Sequence, residues 1–178
     1  MTLAELERHV RTVPDFPKPG IQFRDITTLL SNGEALAASV ALLAERARAH
    51  QAELIAGIEA RGFIFGTAVA VELGLGFVPV RKPGKLPVPT IAVGYALEYG
   101  ADRLELDPGA VPPGTRVVLV DDLVATGGTA LAATDLLRRT GAHVAAALFA
   151  IDLPDLGGAQ RLRAEAVPVD ALMTFPGD

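Results

Sequence analysis

The 178-residue sequence contains no cysteine, which excludes disulfides, a thiolate nucleophile and any cysteine-based metal site. Long apolar runs are also missing, because stretches such as residues 144–151 are far too short to cross a bilayer. The first residues include Glu5 and Glu7 and form no continuous apolar stretch, so no signal peptide is expected. We therefore expect a cytoplasmic protein with no membrane partner.

Positive charge is in deficit, with 16 Lys and Arg against 21 Asp and Glu and a formal net charge of −5. Basic stretches with interleaved aromatic residues do not occur, so nucleic acid is not an expected partner. Any anionic substrate must therefore be met by local cations. Half of the residues are apolar and 21% are charged, which excludes disorder. The length predicts a single domain over residues 1–178.

The most informative stretch is residues 117–129, VVLVDDLVATGGT. Its four leading apolar residues, three of them valine, predict a strand buried on both faces of a parallel sheet. The adjacent carboxylates of Asp121 and Asp122 follow where this strand is expected to end. A short loop then opens into a helical pattern, and we call its five residues the phosphate loop: Ala125, Thr126, Gly127, Gly128 and Thr129.

The phosphate loop is suited to a phosphorylated sugar. Glycine lets the backbone approach closely, while free N–H groups, the helix dipole and two threonine hydroxyls favour a phosphate. Asp121 and Asp122 would repel a phosphate, so we expect them to accept hydrogen bonds from ribose hydroxyls or to help hold a divalent cation. The alternative for a lone Gly-Gly pair is a loop that only connects a strand to a helix. The sequence has neither the P-loop pattern nor the GxGxxG dinucleotide pattern at this point.

The same stretch closely resembles the motif with which type I phosphoribosyltransferases bind 5-phospho-α-D-ribose 1-diphosphate (PRPP). The wording DDLVATGGT is most similar to that of the adenine phosphoribosyltransferases. The resemblance implies an α/β fold with an open, mostly parallel twisted sheet, flanking helices and a small N-terminal hood, mainly residues 1–30. It also implies Mg²⁺ as cofactor, held mainly through PRPP and water with no direct protein ligand, and a homodimer.

The segment FPKPGIQFRDIT places Phe23 between Gln22 and Arg24. Its composition alone predicts a rigid segment that crosses the protein surface. However, an aromatic face beside backbone polar groups can also stack on a planar base and hydrogen-bond its edge. The segment is similar to the part of adenine phosphoribosyltransferases that covers the base. By that resemblance Phe23 stacks on adenine against Leu123, while the main chain of Gln22 and Arg24 bonds the base.

Two cationic loops follow predicted strands. Residues 54–58 read as a buried strand that leads into Glu59 and Arg61, and residues 77–80 lead into RKPGKLP. Each loop alone is more typical of a solvated surface. However, GIEARGFIFG resembles the family's pyrophosphate loop, with Arg61 on the diphosphate and Glu59 steering the loop. The second loop resembles the start of a mobile lid, about residues 81–100, that begins at Arg81. By that resemblance Lys82 and Lys85 meet phosphates, and Glu98 and Tyr99 close over the site.

Together these motifs imply conversion of adenine and PRPP to AMP and diphosphate through an oxocarbenium-like transition state. Arg61 would stabilise the leaving diphosphate, Asp121 and Asp122 would offset charge at the sugar, and Glu98 would take the imidazole proton. Toward the C-terminus, IDLPDLGGAQRL departs from the family pattern at Asp152 and Ala159. We expect these two departures to affect local packing more than chemistry.

Two other functions fit part of the sequence. A phosphoribosyltransferase for 6-oxopurines or another base would keep the phosphate loop but would need a different base-reading segment from the one around Phe23. A PRPP-responsive regulator of transcription or RNA would use the same fold with an added DNA-binding domain or a basic face, and it would not need an intact lid.

Overall fold

The computed structural model describes residues 1–96 and 100–177. The strands of the described residues are β1 Arg11–Pro14, β2 Gln22–Asp25, β3 Leu54–Ile58, β4 Gly76–Val80, β5 Ile91–Ala96, β6 Ala101–Leu106, β7 Arg116–Val124, β8 His143–Asp152 and β9 Val169–Thr174. The helices are α1 Leu3–Glu7, α2 Thr27–Leu30, α3 Gly33–Ala49, α4 Arg61–Leu73, α5 Gly128–Arg139 and α6 Gly158–Ala164.

A five-stranded sheet in the order β4-β3-β7-β8-β9 forms the centre of the fold, and all its pairings are parallel. The predicted α/β architecture is therefore confirmed. β3 spans the predicted residues 54–58, as expected for a short apolar run in a parallel sheet. β7 is longer than predicted, because the chain stays paired with β8 beyond the valines, from Asp121 opposite Phe149 to Val124 opposite Asp152.

The correction to β7 matters for the acidic pair. Asp121 and Asp122 lie within the paired strand, whereas the sequence had suggested that they follow its end. A paired strand holds its backbone more firmly than a loop does, so the two carboxylates project from a rigid element.

Helices cover both faces of the sheet. α3 and α4 pack with the hood on one face, in a buried cluster that includes Leu43, Phe65 and Val118. α5, α6 and the β5–β6 hairpin cover the other face, in a second cluster that includes Leu106 and Leu136. Because adjacent residues of a strand point to opposite faces, the apolar run of β7 contributes to both clusters.

The hood consists of α1, the antiparallel β1–β2 hairpin and α2. A capping box joins Thr2 and Glu5 at the start of α1, since each side chain accepts a hydrogen bond from the other residue's backbone N–H. The hairpin aligns Val13 with Phe23, and an ion pair between Arg11 and Asp25 closes its open end. The hood thus presents β2, with Phe23, beside the carboxyl edge of the main sheet.

The lid segment contains β5 and continues into β6, and the two strands form an antiparallel hairpin in which Ile91 pairs with Leu106 and Ala96 with Ala101. A backbone bridge between Arg81 and Glu105 joins this hairpin to the chain leaving β4. In the described part of the chain, no helix is long and apolar enough to cross a membrane.

Candidate functional site

A polar cavity of about 320 Å³ lies at the carboxyl edge of the sheet. Three neighbouring strands supply its walls, through the loop after β3, the residue Lys82 after β4, and the end of β7 with the start of α5. Parallel strands place all their carboxyl ends at one edge, so segments far apart in sequence meet there. The predicted residues among its lining are Arg61, Lys82, Asp121, Asp122, Leu123 and the whole phosphate loop.

The phosphate loop ends in a helix N-terminus that no side chain of the cap residue can block. Gly127 has φ +84°, a left-handed conformation that glycine adopts readily, and α5 begins at the next residue. The first N–H groups of a helix have no acceptor within the helix, and the helix dipole gives this end a partial positive charge. This end of the cavity is therefore suited to an anion such as a phosphate.

The two carboxylates of β7 line the polar cavity, where Asp121 is partly buried and Asp122 is buried. Asp122 is only 6% exposed and forms an ion pair with Nε of Arg61. Oδ1 of Asp121 accepts a hydrogen bond of 2.8 Å from the backbone N–H of Asp122. A Cβ on Gly62 would stand 2.8 Å from that same Oδ1, so the missing side chain makes room for the carboxylate. Burial, together with the charge of Asp122, raises the pKa of Asp121 well above its ordinary range.

Arg61 is the first residue of α4 and follows a cis peptide bond between Glu59 and Ala60. Burial acts to lower the pKa of Arg61, but the charges of Asp122 and Asp121 outweigh it, and the pKa is raised. Its side chain remains 57% exposed, so this permanent cation faces the polar cavity while it neutralises Asp122. A second anion can therefore reach the guanidinium from the solvent side.

Lys82 lines the polar cavity, but other groups hold its ammonium. Nζ forms an ion pair with Asp102 and a hydrogen bond of 3.0 Å with the hydroxyl of Tyr95, both on the β5–β6 hairpin. Burial acts to lower the pKa of Lys82, and the bonds to Asp102 and Tyr95 more than offset it, so the pKa is raised. The carboxylate of Glu59 accepts bonds from the backbone N–H of Lys82 at 2.6 Å and from Nε of Arg81 at 3.2 Å.

The structure does not bring Lys85 to the polar cavity. Its side chain is exposed, and its carbonyl accepts a bond of 3.4 Å from Nη1 of Arg81. Glu98 and Tyr99 lie outside the described residues. The predicted roles of these three lid residues stay predictions.

A second, mostly apolar cavity of about 530 Å³ lies under the hood, lined by residues that include Phe16, Phe23, Ile26, Leu30 and Arg61. The Phe16 and Phe23 rings meet edge to face at 5.1 Å between centroids, which fixes the plane of Phe23. Arg61 lines both cavities, so the apolar cavity borders the polar one. A planar apolar group bound there would lie next to a sugar in the polar cavity.

The guanidinium of Arg24 is held by contacts within the protein. Nη1 donates to Oγ1 of Thr12 at 2.6 Å and Nη2 to the carbonyl of Pro176 at 2.7 Å, while the guanidinium lies 4.9 Å from the Phe175 ring centroid. These contacts hold both terminal nitrogens of the guanidinium, and the backbone role of Arg24 toward a base stays a prediction. Gln22 is half-buried in β2, beside Phe23.

The two C-terminal departures lie at the end of β8 and the start of α6. Asp152 is buried at 8% exposure, with its backbone paired in the sheet, and burial raises the pKa of its carboxyl. Ala159 is buried in the core cluster beneath α6. Neither residue is among those lining the polar cavity.

Sequence reasoning missed several residues that hold the site. Asp102 and Tyr95 bind Lys82, and Arg161 donates to the carbonyl of Thr126 in the phosphate loop at 2.6 Å. Asp102 belongs to no motif in the sequence, whereas Tyr95 lies within the predicted lid segment but was given no role of its own. Arg161 lies in the C-terminal segment where the sequence analysis considered only the departures at Asp152 and Ala159.

Comparisons with known proteins show the family of this chain. The phosphoribosyl transferase domain family matches residues 25–170. An adenine phosphoribosyltransferase from Erythrobacter litoralis is 69% identical over 177 residues, covering 99% of each chain. The crystal structure of the adenine phosphoribosyltransferase from Thermoanaerobacter pseudethanolicus superposes with a TM-score of 0.92 at 46% identity, covering 98% of this chain and 100% of that one. The enzyme from Saccharomyces cerevisiae, solved in complex with adenine, gives a TM-score of 0.90 at 36% identity, covering 96% and 98% of the two chains.

The raised pKa of Asp121 predicts how stability depends on pH. The folded protein holds this proton more tightly than the unfolded chain does, so the contribution of Asp121 is most favourable below its ordinary pKa of 3.8 and is lost as pH rises through the raised value. Asp121→Asn should therefore raise the free energy of unfolding at neutral pH, by roughly 1–2 kcal/mol. Urea denaturation of both proteins across the acid and neutral range measures this difference.

The gain should shrink toward zero as pH falls below the ordinary carboxyl range, where both proteins carry a neutral side chain. Asp135→Asn is the control, because Asp135 lies at the exposed surface of α5, paired with Arg139 at 2.8 Å. It should give no gain at neutral pH. A difference for Asp121→Asn that stays constant over the whole pH range would contradict the assignment.

Proposed function

Since this chain belongs to the adenine phosphoribosyltransferase family, we propose that it joins adenine to the phosphoribosyl group of PRPP, releasing AMP and diphosphate in purine salvage. The observation that carries this proposal is the shared border of the two cavities at Arg61. One cavity offers an anion-binding loop and two carboxylates, and the other offers an apolar slot with an aromatic ring. A phosphorylated sugar and a flat base need those two environments side by side.

The 5′-phosphate of PRPP would occupy the phosphate loop, where the N-terminus of α5 is free to receive it. Asp121 and Asp122 would accept hydrogen bonds from the ribose hydroxyls. The 5′-phosphate takes no part in the bond changes at C1′, so the free energy gained by binding it at the phosphate loop can be used to orient the sugar for reaction.

The diphosphate would meet Arg61, whose guanidinium remains more than half exposed although it neutralises Asp122. Negative charge grows on the diphosphate as its bond to C1′ breaks, so a fixed cation there stabilises the transition state more than the ground state. The carboxylates of Asp121 and Asp122 would in turn stabilise the positive charge that develops at C1′. Opposite charges on the two sides of the breaking bond are the main electrostatic contribution of this site.

Lys82 would join Arg61 at the diphosphate after leaving Asp102. Lys82 already lines the polar cavity, and its bonds to Asp102 and Tyr95 balance the charge of its ammonium before the diphosphate binds. Lys85 and Arg81, on the same lid segment, would add positive charge when the lid closes. The closed lid would also keep water away from C1′.

Adenine would lie in the apolar cavity against Phe23, with Leu123 of the adjoining polar cavity on its other face and the backbone of Gln22 and Arg24 at its edge. The contacts of the Arg24 side chain with Thr12 and Pro176 support this backbone role. Glu98 would accept the imidazole proton as N9 of adenine attacks, and Tyr99 would close over the site with it.

Mg²⁺ fits this site as a cation brought in by the substrate. The residues described contain no group of three or more His, Cys, Asp or Glu side chains able to hold a metal, but Asp121 and Asp122 offer hard oxygen ligands beside the polar cavity. The metal would be held mainly by PRPP oxygens and water, with the two carboxylates supporting it through water. Its chemistry would be charge neutralisation on the leaving diphosphate.

We also propose a homodimer in the cytoplasm. The family resemblance implies the dimer, and the exposed apolar side chains of Ile64 and Val71 on α4 offer surface that association would bury. The composition of the chain is the basis for the cytoplasmic location.

Base specificity is the direct test of this function. The purified protein would be incubated with Mg²⁺, PRPP and, separately, adenine, hypoxanthine, guanine, xanthine or orotate, and nucleotide and diphosphate would be measured. We expect AMP from adenine and far less product from the other bases. IMP or GMP as the main product would keep the PRPP site but refute the base assignment, and PRPP binding without turnover would point to a regulator.

The stacking role of Phe23 predicts a selective defect. Phe23→Ala should raise KM for adenine about tenfold, since stacking of a base on an aromatic ring contributes roughly 1–3 kcal/mol. KM for PRPP should change little, because Phe23 lies outside the polar cavity. Steady-state kinetics with each substrate varied in turn separates the two effects.

Phe23→Tyr is the matched control, because it keeps a ring in the same place, and it should retain a KM for adenine close to that of the unmodified protein. Equal increases in KM for adenine and for PRPP in Phe23→Ala would show a general distortion and contradict the stacking role.

A further inference from the structure

The phosphate loop rests on the first turn of α6. The backbone N–H of Gly158 donates to the carbonyl of Ala125 at 2.9 Å. A Cβ on Gly158 would stand 2.3 Å from that carbonyl oxygen and 2.7 Å from the backbone nitrogen of Gly127. A Cβ on Gly127 would in turn stand 2.9 Å from Cα of Gly158. The two backbones therefore touch, and only glycine fits at position 158 without moving the loop.

Arg161, one turn into α6, makes a second contact with the loop. Its Nη1 donates to the carbonyl of Thr126 at 2.6 Å. The donor carries a full charge, so this bond is stronger than one between neutral groups. The two contacts together fix consecutive carbonyls of the phosphate loop, those of Ala125 and Thr126.

Fixing a carbonyl also fixes the next N–H. In a trans peptide the C=O and the following N–H point in opposite directions in one plane. The bond from Gly158 therefore turns the N–H of Thr126 away from α6, and the bond from Arg161 does the same for the N–H of Gly127. The polar cavity includes both residues in its lining.

We propose that Gly158 and Arg161 are positioning residues that orient the N–H groups of the phosphate loop toward the 5′-phosphate of PRPP. The inference rests on the proposed function, and it assigns a role at the site to a segment outside the motifs that carry the base, the ribose and the diphosphate. Arg161 acts through the loop backbone, because its contact is with the carbonyl of Thr126.

The test uses two probes that report different parts of the site: ribose 5-phosphate for the phosphate loop, and diphosphate with Mg²⁺ for the region of Arg61. Calorimetry would measure both dissociation constants for the full-length protein. Arg161→Ala should weaken ribose 5-phosphate about tenfold, the range expected when one hydrogen bond from a charged group is lost. The dissociation constant for diphosphate should stay within about twofold, because Arg61 and Lys82 lie on other elements of the fold.

Two further variants separate positioning from stability. Arg161→Lys keeps a charged donor and should recover most of the affinity for ribose 5-phosphate. Arg163→Ala is the matched control, since Arg163 lies on the same helix and donates to the carbonyl of Val169 at 3.0 Å, away from the phosphate loop. It should leave both dissociation constants unchanged.

Gly158→Ala tests the other contact and provides a second variant if Arg161→Ala does not fold. Its new Cβ must push the carbonyl of Ala125 aside, so it should weaken ribose 5-phosphate at least as much as Arg161→Ala does. If Arg161→Ala and Gly158→Ala both bind ribose 5-phosphate as the unmodified protein does, the inference is overturned while the proposed function stands. If the unmodified protein binds ribose 5-phosphate but makes no AMP, the proposed function fails and the positioning role is judged by affinity alone.

Discussion

The ion pair between Arg61 and Asp122 is the contact on which the site depends. A buried carboxylate without a partner would be strongly destabilising, and the guanidinium of Arg61 supplies that partner for Asp122. The same contact ties the first turn of α4 to the end of β7, two elements that carry opposite charges needed by the reaction. Because the guanidinium is still partly exposed, an incoming diphosphate can bind it without first breaking the ion pair.

Close approach of backbones gives that contact its geometry. A Cβ on Gly57 would stand 2.8 Å from the carbonyl of Gly62 and 2.7 Å from the Phe77 ring, so β3 and the start of α4 are nearly in contact. The missing side chain at Gly62 then makes room for the carboxylate of Asp121. The glycines beside this edge of the sheet therefore bring charged groups within reach of each other, at the cost of holding Asp121 partly buried beside Asp122, which raises its pKa. Stability given up at a site for the sake of chemistry is common in enzymes.

Much of this architecture could be predicted from the sequence, for physical reasons. A short apolar run such as residues 54–58 favours a buried strand, and parallel strands bring their carboxyl ends to one edge, which predicts that Arg61, Lys82 and Asp122 converge. The end of β7 was misjudged because the acidic pair looks like a loop, although its backbone pairs with β8. Local composition cannot report such a pairing.

The unpredicted contacts join residues that no local pattern relates. Lys82 and Asp102 are 20 positions apart, Thr126 and Arg161 are 35 apart, and Arg24 and Pro176 are 152 apart. Each depends on where a loop or a helix end comes to rest after the sheet has formed. Lys85 illustrates the same limit, because a charged residue in a loop has no periodicity that would fix its direction, and it lies at the surface.

If the proposed function is right, the two cavities that meet at Arg61 hold the two halves of one nucleotide. A crystal structure of the protein with AMP, Mg²⁺ and diphosphate would show whether they do. We expect adenine against Phe23 in the apolar cavity, ribose hydroxyls on Asp121 and Asp122, the 5′-phosphate on residues 125–129, and diphosphate on the guanidinium of Arg61. AMP with its base outside the apolar cavity, or with its phosphate away from the phosphate loop, would refute this arrangement.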